Sequence, residues 1–187
     1  MTGSGIDVAI SFDTTGSMYP CLTQVRRYVE NIIRRLFGDI PDLRIAVIAH
    51  GDYCDAGTTY VTKVFDFSTN VEAVCHFVRS VGQTYGGDTP ECYELVLKNA
   101  RSLSWQAGKA KVLVMIGDDV PHEPDYRENV DNIDWRNELA LLREAGINVY
   151  GVHAMPGTRR HSKWFYEEIA RATGGYYLTL DQFAAIT

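Results

Sequence analysis

Apolar and polar positions along this chain follow two rhythms, one of strands and one of helices. Ile6-Asp7-Val8-Ala9-Ile10-Ser11-Phe12 is a short, mostly apolar run that predicts a buried strand. Residues 20–37 change to helical spacing. Leu22, Val25, Val29, Ile32, Ile33 and Leu36 recur every three or four residues, with Arg26, Arg27, Glu30, Arg34 and Arg35 mostly on the opposite face. Pro20 suits the first turn of that helix and Gly38 its end. Residues 43–49 predict a second apolar strand, and 60–67 alternate as a half-exposed edge strand does. Next come a helix over 71–81 capped by Asn70, a Gly-rich loop over 82–89, and a helix over 90–103 with Pro90 in its first turn. Residues 111–117 hold the run Val112-Leu113-Val114-Met115-Ile116, a fully buried strand. A polar loop over 119–133 leads to a helix that Asp134 caps and Gly146 ends. A strand over 148–154, a helix over 162–173 stopped by Gly174-Gly175, a short strand over 176–180 and a final turn over 181–186 complete the pattern.

This order predicts an α/β fold: a Rossmann-like, doubly wound, mostly parallel six-stranded sheet with one antiparallel edge strand and helices on both faces. No linker, repeat or low-complexity tract divides it, so residues 6–187 read as one domain. Residues 1–5 read as a disordered N-terminus or an expression scar.

Composition narrows the function classes. A chain of 187 residues with 45% hydrophobic and 22% charged residues has the make-up of an ordinary globular domain with a full core. The net charge of -6 disfavours a nucleic-acid backbone and provides no polybasic membrane patch. No apolar stretch reaches the length of a membrane span. The first residues carry no positively charged lead or signal-peptide core, which favours a cytoplasmic setting. Cys21, Cys54, Cys75 and Cys92 lie far apart without C-x-x-C spacing and read as reduced thiols, although spacing alone leaves one disulfide open.

The chemistry concentrates at Asp13-Thr14-Thr15-Gly16-Ser17, directly after the first strand. In open α/β sheets, ligands bind in the crevice outside the carboxyl ends of the strands. Asp13, Thr15 and Ser17 offer that crevice one carboxylate and two hydroxyls at alternate positions. Oxygen-only ligands suit a hard cation: Mg²⁺, Mn²⁺ or Ca²⁺. Asp118 follows a later strand and meets the same rim; Asp119 beside it reads as a solvated or supporting carboxylate. His50, Asp52 and Tyr53 leave the second strand on this rim and are candidate partner contacts, as is His122 in the long loop, which could also hydrogen-bond behind the site. His153 reads as a core or strand-end residue, and Trp105, Trp135 and Trp164 as packing residues.

Competing motifs fail on spacing. Gly86-Gly87 is not followed by G-K-[ST], which excludes a P-loop, and the acidic stretch 123–134 lacks the D-x-[DN]-x-[DN]-G order of a calcium loop. A Mg²⁺-dependent phosphatase of the haloacid dehalogenase type would use Asp13 as nucleophile and a second acid two residues on. Thr15 stands there instead, and a hydroxyl cannot serve as a general acid at neutral pH. No nucleophile–base pair with credible spacing is present, so the chain reads as a non-enzyme.

Three separated segments together resemble the von Willebrand factor type A fold. They are Asp13-x-Thr15-x-Ser17, matching D-x-[ST]-x-S; Gly86-Gly87-Asp88-Thr89-Pro90-Glu91, opening a helix; and Ile116-Gly117-Asp118 at a strand end. The chain is similar, closer still, to type A domains associated with α-kinases of the myosin heavy chain kinase group. Phe12–Met18, Val64–Phe67 and Ala172–Gly175 carry this second likeness, together with the Gly86–Glu91 segment. The resemblance implies a divalent cation, Mg²⁺ foremost, on Thr15 and Ser17, with Asp13 and Asp118 bound directly or through water. It also implies a fourth ligand in the Gly86-Gly87 segment and a carboxylate, Asp or Glu, supplied by a protein partner. Many relatives have Thr at the fourth position. Here Asp88 stands there, with Thr89 as the alternative, and a third carboxylate makes Mn²⁺ or Ca²⁺ more plausible. The expected function is a cation-dependent protein-binding module; the alternative is a metal-independent scaffold.

Overall fold

Alternation within the strands decides which helices cover which face. In β1 (Ile6–Asp13), Val8, Ile10 and Phe12 enter one core and Ala9 the other. The same division recurs in β2 (Leu43–His50), with Ile45, Val47 and Ala49 against Ala46 and Ile48. In β4 (Ala110–Gly117), Val114 and Ile116 oppose Leu113 and Met115. A period of two therefore splits every central strand between two apolar layers. The first layer packs beneath α1 (Tyr19–Asp39), α2 (Val71–Ser80) and α6 (Leu180–Ala185). The second packs beneath α3 (Tyr93–Arg101), α4 (Trp135–Glu144) and α5 (Lys163–Thr173).

The computed structural model describes residues 5–87 and 89–185. Its six-stranded sheet has the order β3-β2-β1-β4-β5-β6, completed by β3 (Thr62–Ser68), β5 (Ile147–His153) and β6 (Tyr177–Thr179). All pairings are parallel except β2 with β3, which makes β3 the antiparallel edge strand. The expected fold class is therefore the observed one. The chain winds outward in one direction from β1 and in the other from β4, so the switch point lies between their carboxyl ends.

Several boundaries differ from expectation for identifiable reasons. Gly38 does not end α1. The helix runs through it to Asp39, and Ile40 turns extended (φ -115, ψ 111) because Pro41 follows. Pro90 is not in a helix: the Glu91 amide donates to Val120 O at 3.0 Å, and α3 begins only at Tyr93. A 3-10 turn, Tyr53–Gly57, lies in the connection from β2 to β3. Trp135 is buried, and Trp164, half exposed, packs its ring against Trp135 at 5.9 Å, so both are packing residues as expected. The caps expected at Asn70 and Asp134 form, accepting from Ala73 N and Arg136 N, and Gly146 and Gly174 take the positive φ that ends their helices. All four cysteines are free thiols. Among the described residues, no helix is long and apolar enough to cross a membrane. Residues 1–4, 186 and 187 lie outside the described residues, as does Asp88, the expected fourth ligand.

Candidate metal centre

Asp13 is the last residue of β1 and Asp118 the first after β4, so the switch point brings their carboxylates to one rim, both fully buried. The loop after Asp13 folds back onto its own carboxylate. Thr15 donates to Asp13 Oδ1 from its amide at 2.8 Å and from its hydroxyl at 2.7 Å. The Ser17 hydroxyl crosses to Asp118 Oδ1 at 2.9 Å. Thr15 Oγ1 and Ser17 Oγ lie 3.4 Å apart with each hydrogen engaged by a carboxylate, which leaves unused lone pairs on both oxygens. Four of the expected ligand residues thus converge.

A second loop closes over the first. Thr84 N donates to Thr14 O at 3.0 Å and Gly16 N to Tyr85 O at 2.9 Å, zipping 84–85 against 14–16. Asp55 secures this loop from beneath: its carboxylate accepts from Tyr85 N at 2.9 Å and Gly86 N at 3.1 Å. Gly86 has φ +68, and a Cβ there would stand 2.8 Å from Glu91 Oε1 and 3.3 Å from Thr15 Cβ, so only glycine fits. Thr89, the alternative ligand, is exposed and shares an open cleft of about 450 Å³ with Ser17, Tyr85, Glu91 and Arg159.

Tyr93 joins the two strand ends. Its hydroxyl donates to Asp13 Oδ2 at 2.6 Å and accepts from Asp118 N at 3.1 Å and Asp119 N at 3.3 Å. Gly117 makes room, since a Cβ there would collide with the Tyr93 hydroxyl.

The rim is crowded with negative charge. Burial, assisted by Asp13, raises the Asp118 carboxyl to about 7. Burial raises Asp13 to about 6 despite the donors from Tyr93 and Thr15. Glu91 is pushed up to about 11 by burial and then by Asp13, Asp52, Asp119 and Asp118. Among the described residues, Asp118 Oδ2 and Glu91 Oε2 are buried without a hydrogen-bond partner, Asp118 Oδ2 having only the Arg159 guanidinium 3.2 Å away. These oxygens and the free hydroxyl lone pairs fit a hard cation. Among the described residues, no group of three His, Cys, Asp or Glu converges to hold a metal, so the candidate set is two carboxylates supplemented by hydroxyls.

The candidate partner contacts lie mostly inside. His50, Asp52 and His122 are buried. Asp52 and Asp55 form a reciprocal capping box around the 3-10 turn, and His122 Nε2 lies 2.8 Å from Asp52 Oδ1 while its ring stacks on Tyr126. Burial lowers His50 to about 4. Tyr53 is partly buried beside His122. These groups hold the loop from within and do not present a contact surface, apart from Tyr53.

Asp55, Tyr93 and Arg159 escaped sequence reasoning. Arg159 Nε lies 3.2 Å from Asp118 Oδ2, and its terminal nitrogen 3.2 Å from Asp119 Oδ2. A signal existed for it: Arg159-Arg160-His161 is a basic triplet on the loop following a predicted strand, hence on this rim.

A doubly wound sheet whose switch point carries a hydroxyl–carboxylate loop defines the class, and comparison with known proteins defines the family. The profile of the von Willebrand factor type A domain matches residues 7–187, and the chain belongs to that family. It is 27% identical over 194 aligned positions to an ariadne-like RING finger protein of Acanthamoeba polyphaga mimivirus, covering 94% of this chain but 18% of that protein. Among solved structures it is similar to the pilus adhesin SpaC of Lactobacillus rhamnosus GG, with TM-score 0.74, 13% identity, and coverage of 100% of this chain and 29% of that one. BatB from Bacteroides thetaiotaomicron aligns with TM-score 0.65 and 17% identity over 97% of this chain and 95% of its own. Proximal thread matrix protein 1 of the mussel byssus aligns with TM-score 0.69 and 17% identity, over 98% and 44% respectively. These structural likenesses concern the fold.

Proposed function

We propose that this type A domain is a divalent-cation-dependent protein-binding module, with Asp13, Thr15, Ser17 and Asp118 as its cation-holding residues and Asp88 or Thr89 completing the set. The observation that carries this reading is the pairing of the two hydroxyls with the two strand-end carboxylates across the switch point. A bound Mg²⁺, or Mn²⁺ or Ca²⁺, would supply an electrophilic position for an oxygen ligand such as a partner's Asp or Glu carboxylate. The chain's own residues do the rest. Tyr93 fixes Asp13, Asp55 holds the 84–86 loop closed, and the open cleft beside Ser17 admits a side chain from outside.

The sequence likeness to α-kinase-associated type A domains supports grouping this chain with them, and the free cysteines support a reducing, cytoplasmic setting. A non-enzymatic role is supported by the position two residues after Asp13, where Thr15 donates its hydroxyl to Asp13 Oδ1 at 2.7 Å and offers no general acid. A second reading, a metal-independent scaffold, is favoured by one observation: Arg159 already supplies a positive charge to Asp118 and Asp119.

The test is calorimetric titration of EDTA-stripped protein with Mg²⁺, then Mn²⁺ and Ca²⁺, beside Asp13→Ala. One-site saturable binding that the variant loses, with its circular dichroism unchanged, is the expected result. Absence of binding to the native chain would refute cation dependence.

A further inference from the structure

Asp118 has two carboxylate oxygens, and each faces a different kind of partner. Oδ1 accepts the Ser17 hydroxyl at 2.9 Å. Among the described residues Oδ2 has no hydrogen bond, and it lies 3.2 Å from Arg159 Nε. The other carboxylate of the candidate set, Asp13, has both oxygens engaged. Asp118 Oδ2 is therefore the carboxylate oxygen of the pair left without a hydrogen bond, and a guanidinium stands on it.

Arg159 is held there by its own loop. Its amide donates to Met155 O at 2.9 Å, turning the chain back toward the rim after β5. Buried Ser162 donates to Asp118 O at 2.6 Å, tying the following 3-10 turn to the residue that Arg159 contacts. The guanidinium forks across Asp118 and Asp119, and Asp119 is also 3.2 Å from His161 Nε2. The Arg159 side chain keeps 27% of its surface exposed and lines the cleft with Ser17 and Glu91, so it has room to leave.

We infer that Arg159 is an internal counter-ion that competes with the divalent cation for Asp118 and so sets the affinity of the site. This rests on the cation-binding reading above. A guanidinium and a metal ion repel each other, and both draw on the same carboxylate; an arriving ion must displace Arg159 or bind against its field. The geometry of Arg159 thus assigns the site an affinity lower than its oxygen ligands alone would give.

The experiment titrates Mg²⁺ into EDTA-stripped native protein, Arg159→Gln, Arg159→Lys and Asp13→Ala at one pH and ionic strength, with circular dichroism confirming each fold. Gln removes the charge and keeps a polar side chain; Lys keeps the charge. Arg159→Gln is expected to bind Mg²⁺ on the order of tenfold more tightly than the native chain, the scale set by removing a unit charge a few ångströms from a doubly charged ion in a water-screened rim. Arg159→Lys is expected to stay near native. Affinity in Arg159→Gln equal to or weaker than native, while Asp13→Ala still abolishes binding, overturns the role of Arg159 and leaves the cation reading standing. Binding by Arg159→Gln but not by the native chain upholds Arg159 as the occupant and refutes cation dependence of the native site. No binding by either overturns both.

Discussion

Replacing Tyr93 with Phe tests how the two strand ends are joined. The ring stays, so its contacts with Phe165 and Tyr166 survive, and only one oxygen is lost. That oxygen donates to Asp13 at 2.6 Å and accepts from two backbone amides at 3.1 and 3.3 Å. A hydrogen bond to an ionised carboxylate is worth about 1.5–3 kcal/mol, and a buried amide left without an acceptor costs about 1–3 kcal/mol. The two amide contacts are long, so the lower end, about 1 kcal/mol each, is appropriate. The sum is about 4 kcal/mol, a large part of the ~5–15 kcal/mol that holds a typical domain together. The assay is urea unfolding in EDTA at pH 8, where Asp13, raised to about 6, is mainly ionised. With a slope of about 2 kcal/mol/M, the midpoint should fall by roughly 2 M. A loss below about 1 kcal/mol would mean that water or a local shift replaces the hydroxyl, and that Tyr93 does not fasten the rim.

Two further outcomes are expected. Asp13 and Asp118 are raised by burial to about 6 and about 7, above the ~4 of an unfolded carboxylate, so the folded chain binds more protons between these values and stability falls as pH rises. Melting temperatures in EDTA should therefore drop from about pH 4 to pH 7, and Mg²⁺ should recover most at the upper end; a rise across that window would contradict the charge crowding. Asp55→Asn replaces one acceptor oxygen by NH2, which leaves either Tyr85 N or the pair Asp52 N and Gly86 N without an acceptor. It should cost about 2–3 kcal/mol in denaturant unfolding and weaken Mg²⁺ binding by calorimetry, whereas native-like affinity would show that the loop closes without it.

The fold was legible because its signals are local. The period of two in β1 and the run in β4 named the central strands, and Asn70, Asp134, Gly146 and Gly174 marked helix ends with their own side chains or backbones. Gly38 and Pro90 misled because the deciding force lay beyond each residue. Pro41 fixed the exit from α1, and the bond from Glu91 to Val120 withheld Pro90 from the helix. The contact of Thr15 with Asp13 is local in the same way, closing one loop on its own carboxylate, whereas Ser17 reaches across to Asp118, 101 residues on.

The rest of the rim comes from segments distant in sequence, and its logic is electrostatic. Tyr93 reaches Asp13 from α3, Asp55 reaches Gly86 from the turn after β2, and Arg159 reaches Asp118 from the loop after β5. None belongs to a motif, because a motif records neighbours in sequence and each of these is a neighbour in charge. His50 and His122 show the converse. Placed on the rim by topology, both turn inward, where burial lowers His50 to about 4 and Asp52 engages His122. Buried carboxylates at Asp13, Asp118 and Glu91 cannot all ionise without opposing charge. Three sources can supply it: a proton, as the raised Glu91 carboxyl indicates; a guanidinium, as Arg159 does; or a metal ion. Each excludes part of the others. On the proposed reading, a proton, a guanidinium and a metal ion would compete for one set of oxygens, and Arg159 is the cation that the chain encodes itself.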